Sequence, residues 1–120
     1  MKIGFVTVRT ADLARSIAFY EKALGFRVSR RFCPRPGMEI AFLDDGSGGQ
    51  IELIQGSGEP DFAGQGISIG FRVEDVDATA AALEAAGVEI VRGPTTLPSG
   101  VRLLGAKDPN GLELGFVQGE

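Results

Sequence analysis

A strand-like segment followed by a helix start occurs twice in this chain, with corresponding positions 63 residues apart, and that duplication limits the fold more than any other feature. In the first copy, Val6 and Val8 would share one face of a strand and Phe5, Thr7 and Arg9 the other, because side chains alternate along extended backbone. Asp12 then stands where a helix can be capped. Leu13, Ile17, Tyr20 and Leu24 follow at spacings of four, three and four, which is one apolar stripe of a helix, and Gly25 suits a left-handed C-cap. Extended segments are expected at 26–32, 38–43 and 50–55, separated by the turn-rich stretches Pro34–Gly37 and Asp44–Gly49. The first half therefore reads βαβββ.

The second half repeats the order. Ile67, Ile69, Phe71 and Val73 alternate with Ser68, Gly70 and Arg72, and Asp75 takes the place of Asp12. A helix is expected over 76–86 with Gly87 ending it, then strands at 88–92, 101–106 and 112–117, the last preceded by the turn Asp108-Pro109-Asn110-Gly111. Ile51, Leu53, Leu112, Leu114 and Phe116 are assigned to the core. The chain is expected to be one α+β domain: module one over 1–55, a linker over 56–65 and module two over 66–120. A ferredoxin-like fold also duplicates a βαβ-type unit, but an additional strand in each half argues against it.

Composition removes several functions. The 120 residues carry a net charge of −4, against the basic face a nucleic-acid binder needs. No apolar run approaches the roughly 20 residues that span a membrane. The first residues enter a strand pattern instead of a signal-peptide pattern, so a cytoplasmic location is expected. Cys33 is the only cysteine, which rules out an internal disulfide and a CxxC knuckle and leaves it as a spare thiol. There is no histidine, so the commonest ligand for zinc, nickel or iron is missing. The run Gly46–Gly49 joins two strands, which is a hairpin turn and lacks the helix of a phosphate loop.

Phe5 through Leu13 with Phe19-Tyr20-Glu21-Lys22 and Leu24-Gly25-Phe26 resembles the opening module of the vicinal oxygen chelate superfamily, which includes glyoxalases, bleomycin-resistance proteins and extradiol dioxygenases. Val73–Asp77 with Ala85–Val88 resembles its second opening, and Asp108–Gly111 its closing signature. The resemblance covers nearly the whole chain. It implies paired βαβββ modules that curl a mixed sheet around a cavity, and a homodimer.

In metal-bearing members of that superfamily, four ligands come from the first and last strands of each module. Carried over by position they are Phe5, Glu52, Ser68 and Gly115. Three of these four cannot serve, which implies the metal-free branch and no cofactor. Glu113 shares the strand parity of Gly115, and Glu52 and Glu113 with water could hold Mg²⁺ or Ca²⁺ weakly; otherwise Glu113 solvates a rim or pairs with an arginine. Arg9 and Arg72 match by the repeat and share faces with Phe5 and Ser68. Each would meet a ligand carboxylate or form a salt bridge to an acid. Glu52 would bind a cation, act as a base, or pair with one of those arginines.

The expected ligand-binding residues are therefore Phe5, Thr7, Arg9, Glu52, Ser68, Arg72, Glu113 and Gly115, with no metal ligand. The expected function is metal-independent binding of an organic small molecule, as in drug or natural-product sequestration and antibiotic resistance. The alternatives are a glyoxalase-like lyase, isomerase or dioxygenase-type enzyme centred on Glu52, and an interaction domain with a collapsed cavity.

Overall fold

A computed structural model describes residues 1–119 as two compact units, Met1–Phe62 and Ala63–Glu120. Unit 1 contains β1 (Val6–Arg9), α1 (Leu13–Lys22), β2 (Arg27–Arg35), β3 (Met38–Asp44) and β4 (Gln50–Gln55). Unit 2 contains β5 (Ser68–Arg72), α2 (Val76–Ala85), β6 (Ile90–Thr96), β7 (Arg102–Lys107) and β8 (Glu113–Gln118). Both are βαβββ, the α+β arrangement expected from the repeat. The sheets have equivalent orders, β1-β4-β3-β2 and β5-β8-β7-β6. In each, the first strand runs parallel to the last and the other pairs are antiparallel.

The helix starts follow from the caps. Asp12 accepts from the Arg15 N–H at 3.0 Å, and Asp75 accepts from the Ala78 N–H at 3.0 Å. Each satisfies one of the backbone donors that a helix leaves free in its first turn. A glutamine from the closing strand serves a second donor. Gln55 Oε1 accepts from the Leu13 N–H and Gln118 Oε1 from the Val76 N–H, both at 2.7 Å. Gly25 and Gly87 adopt φ of 75° and 77°, the left-handed conformation expected at Gly25 and repeated at Gly87. After α2 the Val88 N–H returns to the Leu83 carbonyl at 2.9 Å and the Gly87 N–H to the Glu84 carbonyl at 3.0 Å, a Schellman closure.

Each core lies between helix and sheet. In unit 1 Leu13, Ile17 and Tyr20 from α1 are buried together with Val8, Ala41, Leu43, Ile51 and Leu53 from the strands. Tyr20 has no exposed surface, and its ring lies 5.7 Å from that of Phe26. In unit 2 Val76, Ala80 and Leu83 are buried with Leu104, Ala106, Leu114 and Phe116. Each fully buried side chain of this kind contributes about 1.5–3 kcal/mol relative to exposure.

The strand boundaries differ from expectation at both sheet edges. β2 continues through Pro34 to Arg35, and β6 through Pro94 to Thr96, where shorter strands ending at 32 and 92 were expected. Proline is tolerated there because β2 and β6 are edge strands and each carries a register shift at its proline, between Phe32 and Arg35 and between Arg92 and Thr95. β1 is shorter than the expected segment, so Phe5 lies just before it. No helix among the described residues is long and apolar enough to cross a membrane.

Candidate functional site

With a helix on one face of each sheet, the strand alternation sends a second set of side chains to the opposite face. In unit 1 this set includes the expected residues Thr7, Arg9 and Glu52. Thr7 and Glu52 are direct partners across the parallel β1–β4 pair, and Thr7 Oγ1 donates to Glu52 Oε1 at 2.6 Å. Glu52 was expected to face an arginine or stand ready as a base, but the threonine hydroxyl is the partner found. A neutral donor satisfies one carboxylate oxygen without neutralising its charge. Arg9 is exposed at the end of β1, and its carbonyl accepts from the Phe62 N–H at 2.9 Å.

The same face carries two aromatic side chains that sequence reading did not assign to it, Phe42 and Phe32. Phe42 is the cross-strand partner of both Glu52 and Arg30. Phe5 meets it edge to face with ring centroids 5.3 Å apart and remains 49% exposed. The Arg30 guanidinium lies 5.0 Å from the Phe42 ring and 4.9 Å from the Phe32 ring. These are favourable cation–π distances. The Glu52 carboxylate, the Arg9 and Arg30 guanidinium groups and three rings thus share a single face.

In unit 2 the register aligns Ser68 with Glu113, Gly70 with Gly115 and Arg72 with Val117 across the β5–β8 pair. Glu113 in turn lies opposite Lys107, Gly115 opposite Gly105, and Gly105 opposite Arg92. Glu113 forms an ion pair with Arg92, so of the expected roles it takes that of an arginine's partner. Ser68 and Arg72 are exposed. Two pockets open on this face. One, of about 280 Å³, is lined by Lys107, Glu113, Gln65, Ile67 and Arg92 among others. The second, of about 270 Å³, is lined by Leu103, Val117, Thr95, Gly115 and Arg92 among others. Arg92 and Lys107 were not foreseen as site residues.

The residues at the inherited ligand positions do not fit a divalent transition metal. In unit 1 they are a phenyl ring and the carboxylate of Glu52; in unit 2 they are a neutral hydroxyl and a glycine without a side chain. Glu113 cannot substitute readily, because the guanidinium already beside it repels a cation. Among the described residues no group of three or more His, Cys, Asp or Glu side chains is placed to hold a metal ion.

The sequence model of the Glyoxalase/Bleomycin resistance protein/Dioxygenase superfamily matches residues 2–116. An uncharacterized protein of Bacillus subtilis, YwbC, is 33% identical over 122 residues, covering 98% of this chain and 97% of its own. A lactoylglutathione lyase of Haemophilus influenzae is 34% identical over 127 residues, covering 98% of this chain and 93% of its own. Among solved structures, a glyoxalase I mutant from Zea mays superposes with a TM-score of 0.83 at 25% identity. The match covers 98% of this chain but only 45% of the maize chain.

Proposed function

Because this chain belongs to the glyoxalase/bleomycin resistance protein/dioxygenase superfamily, we propose that it has kept the family scaffold as a metal-independent receptor for an organic small molecule. The observation that carries this reading is the donor chemistry at the inherited positions, where Phe5, Ser68 and Gly115 stand in place of metal-binding side chains. Loss of those donors removes the Lewis acid that would hold substrate oxygens and stabilise negative charge. What remains suits capture. Phe5, Phe42 and Arg30 offer aromatic and cationic surface in unit 1, and two pockets bracket Arg92 in unit 2. Sequestration of a drug or natural product by a cytoplasmic homodimer is the biological form of this reading.

Native mass spectrometry of protein purified without added metal tests it, since metal, ligand and subunit count are read together. A bound organic molecule and no stoichiometric transition metal is the expected result. A stoichiometric transition metal would overturn the reading.

A second reading is an enzyme centred on Glu52. It is favoured by the relative named lactoylglutathione lyase and by the Thr7–Glu52 hydrogen bond, which fixes a carboxylate on the helix-free face. Formation of lactoylglutathione that survives chelator and disappears in Glu52→Gln would support it over simple binding.

A further inference from the structure

On the reading that unit 2 binds an organic molecule at its helix-free face, we propose that the ligand there is a flat aryl carboxylate and that Arg92 exchanges Glu113 for the ligand's carboxylate when it binds. The two pockets of unit 2 share Arg92 as a wall. At about 280 and 270 Å³, each falls short of the roughly 300–1,000 Å³ that a drug-sized ligand needs, while the two joined fall within it. The side chain between them is 68% exposed and anchored by one ion pair to Glu113. Arg92 is the open member and Glu113, 30% exposed with its Oε1 buried, the fixed one, so the pair opens from the arginine's side.

Charge selects the ligand's sign. Arg92 and Lys107 face a single acid, Glu113, leaving one positive charge in excess at this end of the face. A monoanion restores the balance, and a carboxylate matches the planar fork of a guanidinium with two parallel hydrogen bonds. The opposite end is apolar, lined by Leu103 and Val117. Flatness is set by the floor between the two ends. Gly70, Gly115 and Gly105 stand in register on adjacent strands, so no side chain rises there. A Cβ added at Gly70 would meet nothing within 4 Å, and one at Gly115 only the Ile69 carbonyl oxygen at 4.0 Å. At Gly105 it would touch the Arg92 side chain at 3.4 Å, so the arm already rests on that floor.

The test titrates the full chain with three probes sharing one ring system: 2-naphthoate, 2-naphthalenemethanol and 2-naphthylmethylamine, at neutral pH. The chain has no tryptophan, so naphthalene fluorescence reports binding directly. Naphthoate is expected to bind roughly tenfold or more tighter than the neutral alcohol, the scale of a charged hydrogen bond. Arg92→Gln should remove that preference. Glu113→Gln should tighten naphthoate, because the arginine's competing partner is gone. Gly70→Val should weaken naphthoate and the alcohol by similar factors while circular dichroism stays unchanged, since the added side chain enters open space and suits a strand. Equal affinity for all three probes, an Arg92→Gln variant that keeps the preference, or a Glu113→Gln variant that weakens naphthoate overturns the aryl-carboxylate assignment and leaves small-molecule binding standing. Failure of all three probes to saturate at millimolar concentration overturns both.

Discussion

Replacing Gln55 with alanine should destabilise the fold by a predictable amount, although the residue lies on a strand end and makes one side-chain hydrogen bond. That bond, at 2.7 Å, serves the N–H of Leu13, the first residue of α1. Leu13 is 1% exposed, so water has little access to replace the lost acceptor. Leaving a buried donor without a partner costs about 1–3 kcal/mol. The Asp12 cap bonds a different donor, that of Arg15, and does not compensate. With a urea slope of roughly 1–3 kcal/mol per molar, the midpoint should fall on the order of 1 M. Far-UV circular dichroism during urea unfolding measures it. Gln55→Glu is the control, because it keeps an acceptor and adds a carboxylate at a helix N-terminus, worth about 0.3–1 kcal/mol of stabilisation. Gln118→Ala should behave like Gln55→Ala, because the Val76 N–H is its equivalent partner. An alanine variant within about 0.5 kcal/mol of the parent would refute the argument, that being the scatter of ordinary surface changes. A glutamate variant as damaged as the alanine one would refute it too.

Three further outcomes follow from the structure. Tyr20→Ala, at a site with no exposed surface among Phe19 and Phe26, should lose about 3–5 kcal/mol in the same urea experiment. Gly56→Ala should also destabilise, by about 1–3 kcal/mol, because φ there is 76° and the added Cβ would fall 2.0 Å from the Gly37 carbonyl oxygen. The Arg102 guanidinium bonded to Asp77 holds that carboxyl below its usual range. Because the folded value lies below the unfolded one, the pair's stabilisation is complete above the ordinary aspartate range and fades as pH falls through the lower, folded value. Thermal midpoints measured from neutral pH into that acid range should therefore fall slightly more steeply for the parent than for Asp77→Asn, with the difference reduced by salt.

The fold was legible because its two halves repeat the same local chemistry. Asp12 and Asp75, Gly25 and Gly87, and the alternating strands that precede them each carry a signal of cap, stop or buried face that needs no tertiary information. The glutamine acceptors are another such repeat, at positions 55 and 118, yet they escaped notice. Their partners are backbone N–H groups 42 residues away, and nothing in the local sequence of a strand end announces that contact. The expected edge strands stopped at 32 and 92, short of Pro34 and Pro94. On an edge, with a register shift beside each, they are compatible with pairing.

The site was half legible, for a reason that lies in those same edge strands. On β1, β4, β5 and β8 pairing is regular, so counting by twos places Thr7, Glu52, Ser68, Glu113 and Gly115 on the helix-free faces. On β2 and β6 the count fails. Val28 pairs with Leu43 on the buried face, and a shift before Arg30 turns that arginine to the opposite face beside Phe42. Ile90 pairs with the buried Ala106, and a shift before Arg92 does the same in unit 2. Straight alternation would have kept Arg30 with Val28 and Arg92 with Ile90, because residues two apart in an unbroken strand share a face. Each shift therefore supplies its helix-free face with a guanidinium group that parity alone would deny it. In unit 1 that group lies over two phenylalanine rings, and in unit 2 it divides two pockets and holds the carboxylate of Glu113. The positions carried over from metal-bearing members, Glu52, Ser68 and Gly115 on regular strands and Phe5 just before one, can be read from sequence. Arg30 and Arg92 sit on the irregular strands, where only the register reveals them. The proposal of anion and aromatic recognition in place of metal chemistry draws on both observations together.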